Sequence, residues 1–332
     1  MIISLYLSPE GALKQNLDED EMRAAVRSGK GVLWVDFFKP TPDEIFLLDE
    51  VFGFHPLALE DCQHVMQQAK LDDFGSYLFL VFLAPNPKFK PDVEATVHGN
   101  ELEPVLELDM FLGMNYVVTY RISQLPFLNG LLERAKRDPT RTFGRGASFL
   151  AHDILDAAID QFFAMVDKFQ GEAESAEYQL QGDKPQTVLT GVLELKRRVL
   201  SLRRQMSDHR ELINRILRIN HKTLAPESHI YFRNILDHLQ QIERDLDVCS
   251  DTIDNAREGY LAIANARTNE IMKALTMVFT LSLPFTVVTS WFGMNFAHLP
   301  HLDNPSAPYI VTGTMSAVTI VMFMWLRAKR WF

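Results

Sequence analysis

The chain has few cysteines: two in 332 residues, Cys62 and Cys249, far apart in sequence. That excludes a disulfide framework and a cysteine-based zinc site, and points to a reducing compartment. An excess of base is also missing. Lys and Arg number 33 against 43 Asp and Glu, a net charge of −10, which argues against nucleic acid as a partner. No basic segment precedes the short apolar run Met1–Leu7, so no secretory signal is expected. No H-E-x-x-H, G-x-S-x-G or G-x-x-x-x-G-K-[ST] occurs. The chain therefore reads as neither a zincin, a serine hydrolase nor an ATP-driven machine, and no cofactor is expected. The most informative absence is local. Charge is missing altogether from Ala274 to Phe292 and again from Pro308 to Leu326.

Each uncharged run is 19 residues long, close to the ~20 that cross the hydrocarbon of a bilayer as a helix. A buried hairpin in a large soluble core is the alternative, but two such runs close the chain and share a connector, Gly293–Ala307, with no Lys or Arg. Arg267 and Lys273 precede the first run, and Arg327, Lys329 and Arg330 follow the second. The positive-inside rule then places both termini in the cytoplasm and the connector outside. Trp291, Tyr309, Trp325 and Trp331 fall near the expected interfaces. Residues 271–332 carry a net +3, leaving −13 on residues 1–270. The reading is an integral protein of an inner or plasma membrane with a large acidic cytoplasmic part. Two helices cannot enclose a pore, so transport would require an oligomer.

The cytoplasmic part mixes element types. Val32–Phe38 and Tyr77–Leu83 are apolar runs of strand length, and Val105–Leu112 with Tyr116–Arg121 reads as a hairpin. Thr41–Phe52 and Pro56–His64 have helical spacing. Proline is absent from Thr140 to Lys184 and from Gln186 to Ala225, which predicts two long helices. A third starts near Pro226. Along it Tyr231, Ile235, His238, Ile242, Leu246, Cys249, Ile253, Ala256, Tyr260 and Ile263 form a near-heptad seam suited to helix packing. Continued to Phe292, it would be a rod of about 100 Å, a stalk between the soluble part and a pore. The predicted organisation is an α/β domain at 1–145, long helices at 146–225, a stalk at 226–270 and a first span at 271–292. An external loop at 293–307, a second span at 308–327 and a basic tail at 328–332 complete it.

Gly293-Met294-Asn295 closes the first span, between Phe292 and Phe296. The same tripeptide occurs at Gly113-Met114-Asn115, where it is expected to serve a hairpin turn with positive φ. Context separates the two. Thr268–Thr276, Leu283–Thr286, Phe54–Asp61, Tyr231–Arg233 and Lys329–Phe332, together with the second copy, resemble the CorA family of divalent-cation transporters over nearly the whole chain. The resemblance implies a funnel-shaped homopentamer: an α/β cytoplasmic domain, a long helical stalk and two C-terminal membrane helices, the first lining a central pore. It implies that Gly293, Met294 and Asn295 recognise the ion, that Leu283 and Thr286 line the pore, that Met272 and Leu275 form a hydrophobic gate, and that Asn269 forms a polar ring. The spacing of 269, 272, 275, 279, 283 and 286 independently puts these positions on one helical face; helix packing in lipid would use the same apolar stripe.

Some positions depart from the family pattern. The outside loop has His301 where the family usually has Glu, leaving Asp303 as its one carboxylate. His298-x-x-His301 could ligate a transition metal, although two solvated histidines explain the pair as well. Asn234 stands where a regulatory aspartate is common. Asp72-Asp73 is a second candidate metal site or, more simply, a charged turn, and Glu258 could gather cations on the stalk or be a solvated charge. The expected cargo is Mg²⁺, with Zn²⁺, Co²⁺ or Ni²⁺ as the alternative. A membrane-anchored scaffold that does not conduct is the competing class, and an enzyme is not expected.

Overall fold

Apolar runs that do not alternate form strands buried on both faces, and here they form the centre of one sheet. The computed structural model describes residues 1–64, 68–86, 105–180, 185–294 and 305–329. Its strands are β1 (Ile2–Leu7), β2 (Leu13–Gln15), β3 (Val32–Phe38), β4 (Lys70–Asp73), β5 (Leu78–Pro85), β6 (Val105–Leu112) and β7 (Tyr116–Arg121). They lie in the order β2-β1-β3-β7-β6-β5-β4. β3 and β7 are parallel; every other adjacent pair is antiparallel.

One face is covered by α1 (Glu19–Ser28), α2 (Pro42–Phe52) and α3 (Pro56–Gln63). Leu33, Val35 and Phe37 of β3 and Val118 and Tyr120 of β7 share a core with Met22, Leu48, Val51 and Ala58. Capping boxes start two of these helices, Asp18 with Glu21 and Thr41 with Glu44, each satisfying amides that a helix start leaves free. The alternate residues of the strands face α4 (Pro126–Arg137), α5 (Pro139–Phe143), α6 (Ala147–Leu180) and α7 (Pro185–Arg218). Trp34 meets Phe143 edge-on at 6.5 Å. On β5, Phe82 lies 4.1 Å from the His209 ring of α7, and the Leu83 N–H donates to His209 Nε2 at 3.1 Å. Complete burial pushes the His209 imidazole down to about 3, so it is neutral at physiological pH and acts as a packed acceptor.

On α7, Val192, Leu195, Val199, Leu202, Met206, His209, Ile213 and Ile216 are buried at alternating steps of three and four, the heptad of a helical bundle. Arg198 of α7 pairs with Glu172 of α6 at 2.6 Å. After a 3₁₀ turn at Pro226–Ser228, α8 runs unbroken from His229 to Phe292. Its seam is buried at Ile235, Ile242, Leu246, Cys249, Ile253 and Ala256, whereas Ile263 is 51% exposed. Lys196–Asp254 at 2.7 Å and Arg203–Asp247 at 3.0 Å tie α8 to α7. The chain divides into two compact units, Met1–Asn255 and Ala256–Phe332. The second contains the end of α8 and α9 (Ala307–Ala328).

Two expectations need correction. Asp72 and Asp73 belong to β4, not to a turn. Leu71 is buried between charged neighbours, and β4 lies at the sheet edge, where charged side chains suit an exposed strand. Gly113 and Asn115 do not have positive φ. Gly113 is required because a Cβ there would collide with the ring of Tyr116, and the Gly113 N–H donates to the Tyr116 carbonyl at 2.9 Å. Asn115 is 6% exposed and donates to the Ala25 carbonyl at 2.9 Å.

Candidate ion pathway and metal sites

An α-helix turns 100° per residue, so Asn269, Met272, Leu275, Phe279, Leu283 and Thr286 share one face of α8. All six are exposed, Met272 at 55%, Leu275 at 48% and Leu283 at 60%. The half-buried positions Met277, Thr280, Leu281, Pro284 and Val288 lie roughly 140° around the helix from that stripe. On α9, Val311, Met315, Ser316, Thr319 and Met322 are half-buried and Leu326 is buried. The candidate pore face is therefore distinct from the face of α8 that is sheltered within the chain. An exposed apolar face of this length needs a cover, either lipid or further copies of the helix.

Hydroxyls in both helices bond back to their own backbone. Thr276 donates to the Met272 carbonyl at 2.7 Å, Thr286 to Ser282 at 3.1 Å, Thr289 to Phe285 at 2.8 Å, and Thr312 to Pro308 at 2.8 Å. Such bonds satisfy polar groups where water is absent. Thr286 keeps acceptor capacity for a hydrated ion after making its bond. Pro284 sits inside α8 and removes one helical N–H, the usual cause of a local opening in a spanning helix. At the end of α8 the Gly293 N–H still donates to Thr289 at 2.9 Å, and the Met294 N–H to Trp291 at 3.4 Å; Met294 is 47% exposed. Asn295, His298, His301 and Asp303 lie outside the described residues.

The candidates outside the two apolar helices do not converge on a metal. Asp72 pairs with Lys70 at 3.0 Å. Asp73 accepts from the Gly75 N–H at 2.7 Å and lies 3.3 Å from His221 Nε2. Glu258 is exposed and makes no ion pair among the described residues. The structure instead gathers Asp156 and Asp160 of α6 with His238 of α8, their ligand atoms within 4.8 Å of one another. Burial, then the neighbouring Asp156, pushes the Asp160 carboxyl up, while His238 opposes the shift. Asn234 lies one turn before His238, its amide nitrogen 3.3 Å from Nε2. Two carboxylates and an imidazole suit a transition metal better than magnesium, which prefers oxygen alone. Sequence reading missed this trio, although a histidine in an apolar seam and carboxylates at i and i+4 were both visible.

Comparison with known proteins bears on both regions. A profile of the family described as CorA-like Mg2+ transporter protein matches residues 29–330. The Bacillus subtilis protein YfjQ is 32% identical over 299 residues, covering 90% of this chain and 89% of its own. The cobalt/magnesium transport protein CorA of Thermotoga maritima is 27% identical, over 87% of this chain and 80% of its own. The solved CorA magnesium transporter of Methanocaldococcus jannaschii superposes with a TM-score of 0.80 at 18% identity, over 100% of this chain and 99% of that one.

Proposed function

The chain belongs to the CorA-like Mg2+ transporter family, and on that premise we propose that it conducts Mg²⁺ through a homopentameric pore with Gly293, Met294 and Asn295 at the outer mouth. Both termini face the cytoplasm, and α8 lines the pore. The observation that carries this reading is α8 itself: one unbroken helix from His229 to Phe292 that joins the soluble fold directly to the tripeptide. Along its last seven turns it offers an outward stripe with polar groups at Asn269 and Thr286. Thr286 lies within the span, where a membrane anchor has no use for a polar stripe position, and Asn269 lies just before the span.

Magnesium dehydrates reluctantly. A ring of Asn295 carbonyls can accept hydrogen bonds from the hydrated ion without stripping its water, whereas a ring of carboxylates would hold it longer. An inside-negative potential supplies about 2.3 kcal/mol per charge per 100 mV, which doubles for a dication, so no nucleotide is needed. Relatives named for cobalt as well as magnesium make Co²⁺ a second cargo of the same pore. The loop pair His298 and His301 makes Zn²⁺ the competing one. Flux of Mg²⁺ and Zn²⁺ into liposomes, with and without a proton gradient, tests the proposal. Asn295→Ala is expected to abolish uptake while the oligomer survives size-exclusion chromatography; unchanged uptake would refute the assignment, and no flux of either ion by the parent protein would favour the scaffold.

A further inference from the structure

β3 and β7 are the parallel pair of the sheet, and the chain leaves their carboxyl ends in opposite directions. From β3 it passes to α2, whose Leu48 and Val51 pack with Val35 and Phe37. From β7 it passes to α4, which meets the other face through Asn129 and Arg121. A parallel pair whose following helices go to opposite faces is a topological switch point, where open α/β sheets leave a ligand crevice. A cavity of about 320 Å³ lies there, lined by Phe38 and Arg121 at the strand ends, by Ile3 and Gln124, and by Leu132, Glu133 and Lys136 of α4.

Behind Arg121, which lines the crevice with Asn129, runs a buried polar ladder that is incompletely satisfied. Trp34 Nε1 donates to Thr119 Oγ1 at 3.2 Å, and the Thr119 hydroxyl donates to Asp36 Oδ1 at 2.7 Å. Arg121 donates to Asp36 Oδ2 through Nε at 3.2 Å and Nη2 at 2.8 Å, and Nη2 also reaches Asn129 Oδ1 at 2.7 Å. The guanidinium carbon stands 4.7 Å from the centre of the Phe38 ring. Nη1 is buried and has no acceptor, in a side chain that is 3% exposed. Buried charged donors are almost always paired, and nothing in the transport reading uses this one.

We propose that this crevice binds a small organic carboxylate, one oxygen accepting from Arg121 Nη1 and the apolar body lying against Ile3, Phe38 and Leu132. Asp36 already balances the charge of Arg121, so hydrogen bonding and apolar contact hold the ligand. Lys136 at the rim adds a cation, since its pairing with the exposed Glu133 is weak and exchangeable. The site lies in the cytoplasmic unit, on residues distinct from the ion pathway.

Saturation-transfer NMR on the full-length protein in detergent, with benzoate as probe and benzyl alcohol as its uncharged control, tests the proposal. Benzoate is expected to give a saturable signal and benzyl alcohol none. Gln124→Trp, at an exposed rim position, and Arg121→Gln are each expected to weaken benzoate about tenfold or more, the cost of one charge-assisted hydrogen bond or of a blocked mouth. Circular dichroism checks that Arg121→Gln folds; if it does not, Gln124→Trp decides. A benzoate signal that never saturates, equal affinity in Gln124→Trp, or equally tight benzyl alcohol would overturn the proposal.

Discussion

Asp36→Asn keeps the shape of the side chain and removes the anion beneath Arg121. Asp36 is fully buried and Arg121 is 3% exposed, with their closest atoms 2.8 Å apart. Removing one partner of such a pair leaves an uncompensated buried charge, a cost of about 3–5 kcal/mol. The hydroxyl bond from Thr119 can survive, which favours the lower end of that range. For a domain of this size each kcal/mol shifts Tm by about 2–4 °C, so a fall of about 6–20 °C is expected. Trp34 donates into the same polar ladder, so in a background with Trp291, Trp325 and Trp331 replaced by Phe its fluorescence during heating follows the sheet directly. The double variant Asp36→Leu/Arg121→Met is expected to be more stable than Asp36→Asn alone, because burying two apolar side chains carries no desolvation of charge. An Asn variant within about 2 °C of the parent, or a double variant less stable than Asp36→Asn, would refute this account of the ladder.

Asp109 on β6 is 2% exposed; burial first, then the neighbouring Glu107, holds its carboxyl well above the usual carboxylate range. The folded state therefore keeps this proton at pH values where the unfolded chain has lost it, and stability falls as pH rises from about 4 through the raised value. Asp109→Asn is expected to flatten the Tm profile above about pH 4, with a gain over the parent that grows with pH; parallel profiles would contradict the assignment. At the other copy of the tripeptide, Gly113→Ala is expected to cost about 1–3 kcal/mol by overpacking against Tyr116, while Met114→Ala, at a position 58% exposed, leaves thermal stability nearly unchanged. In both variants the protein that folds should transport ions like the parent in the liposome assay.

Periodicity and chain punctuation made much of the architecture legible. The uncharged runs at 274–292 and 308–326 fall within α8 and α9, and the seam is buried at Ile235 and from Ile242 to Ala256, with Leu239 rather than the half-buried His238 as the fully buried position between them. The long helices follow the stretches without proline, since interior proline disrupts an ordinary helix. Strands β3, β6 and β7 have the bounds that their apolar runs suggest. By contrast β1, β4 and α1 gave weak local signals. A six-residue apolar run at the start of a chain becomes a strand only because β3 offers it a partner, and Lys70–Asp73 reads as a turn until β5 lies beside it.

What the sequence by itself determined is what depends on neighbours along the chain: charge, spacing, length, and so the long helix α8 and two apolar helical stretches long enough to cross a membrane. Tertiary structure alone decided what depends on residues far apart in sequence. Asp36 and Arg121 are 85 positions apart, and only the parallel pairing of β3 with β7 makes them one buried pair at the edge of a crevice. The same holds for Asp156, Asp160 and His238, which meet only where α8 packs beside α6. A covalent sequence specifies local dihedral preference and hydrophobic period directly. Which distant charges share a low-dielectric environment follows only from closing the chain, because desolvation and Coulomb energy act through space rather than along the backbone.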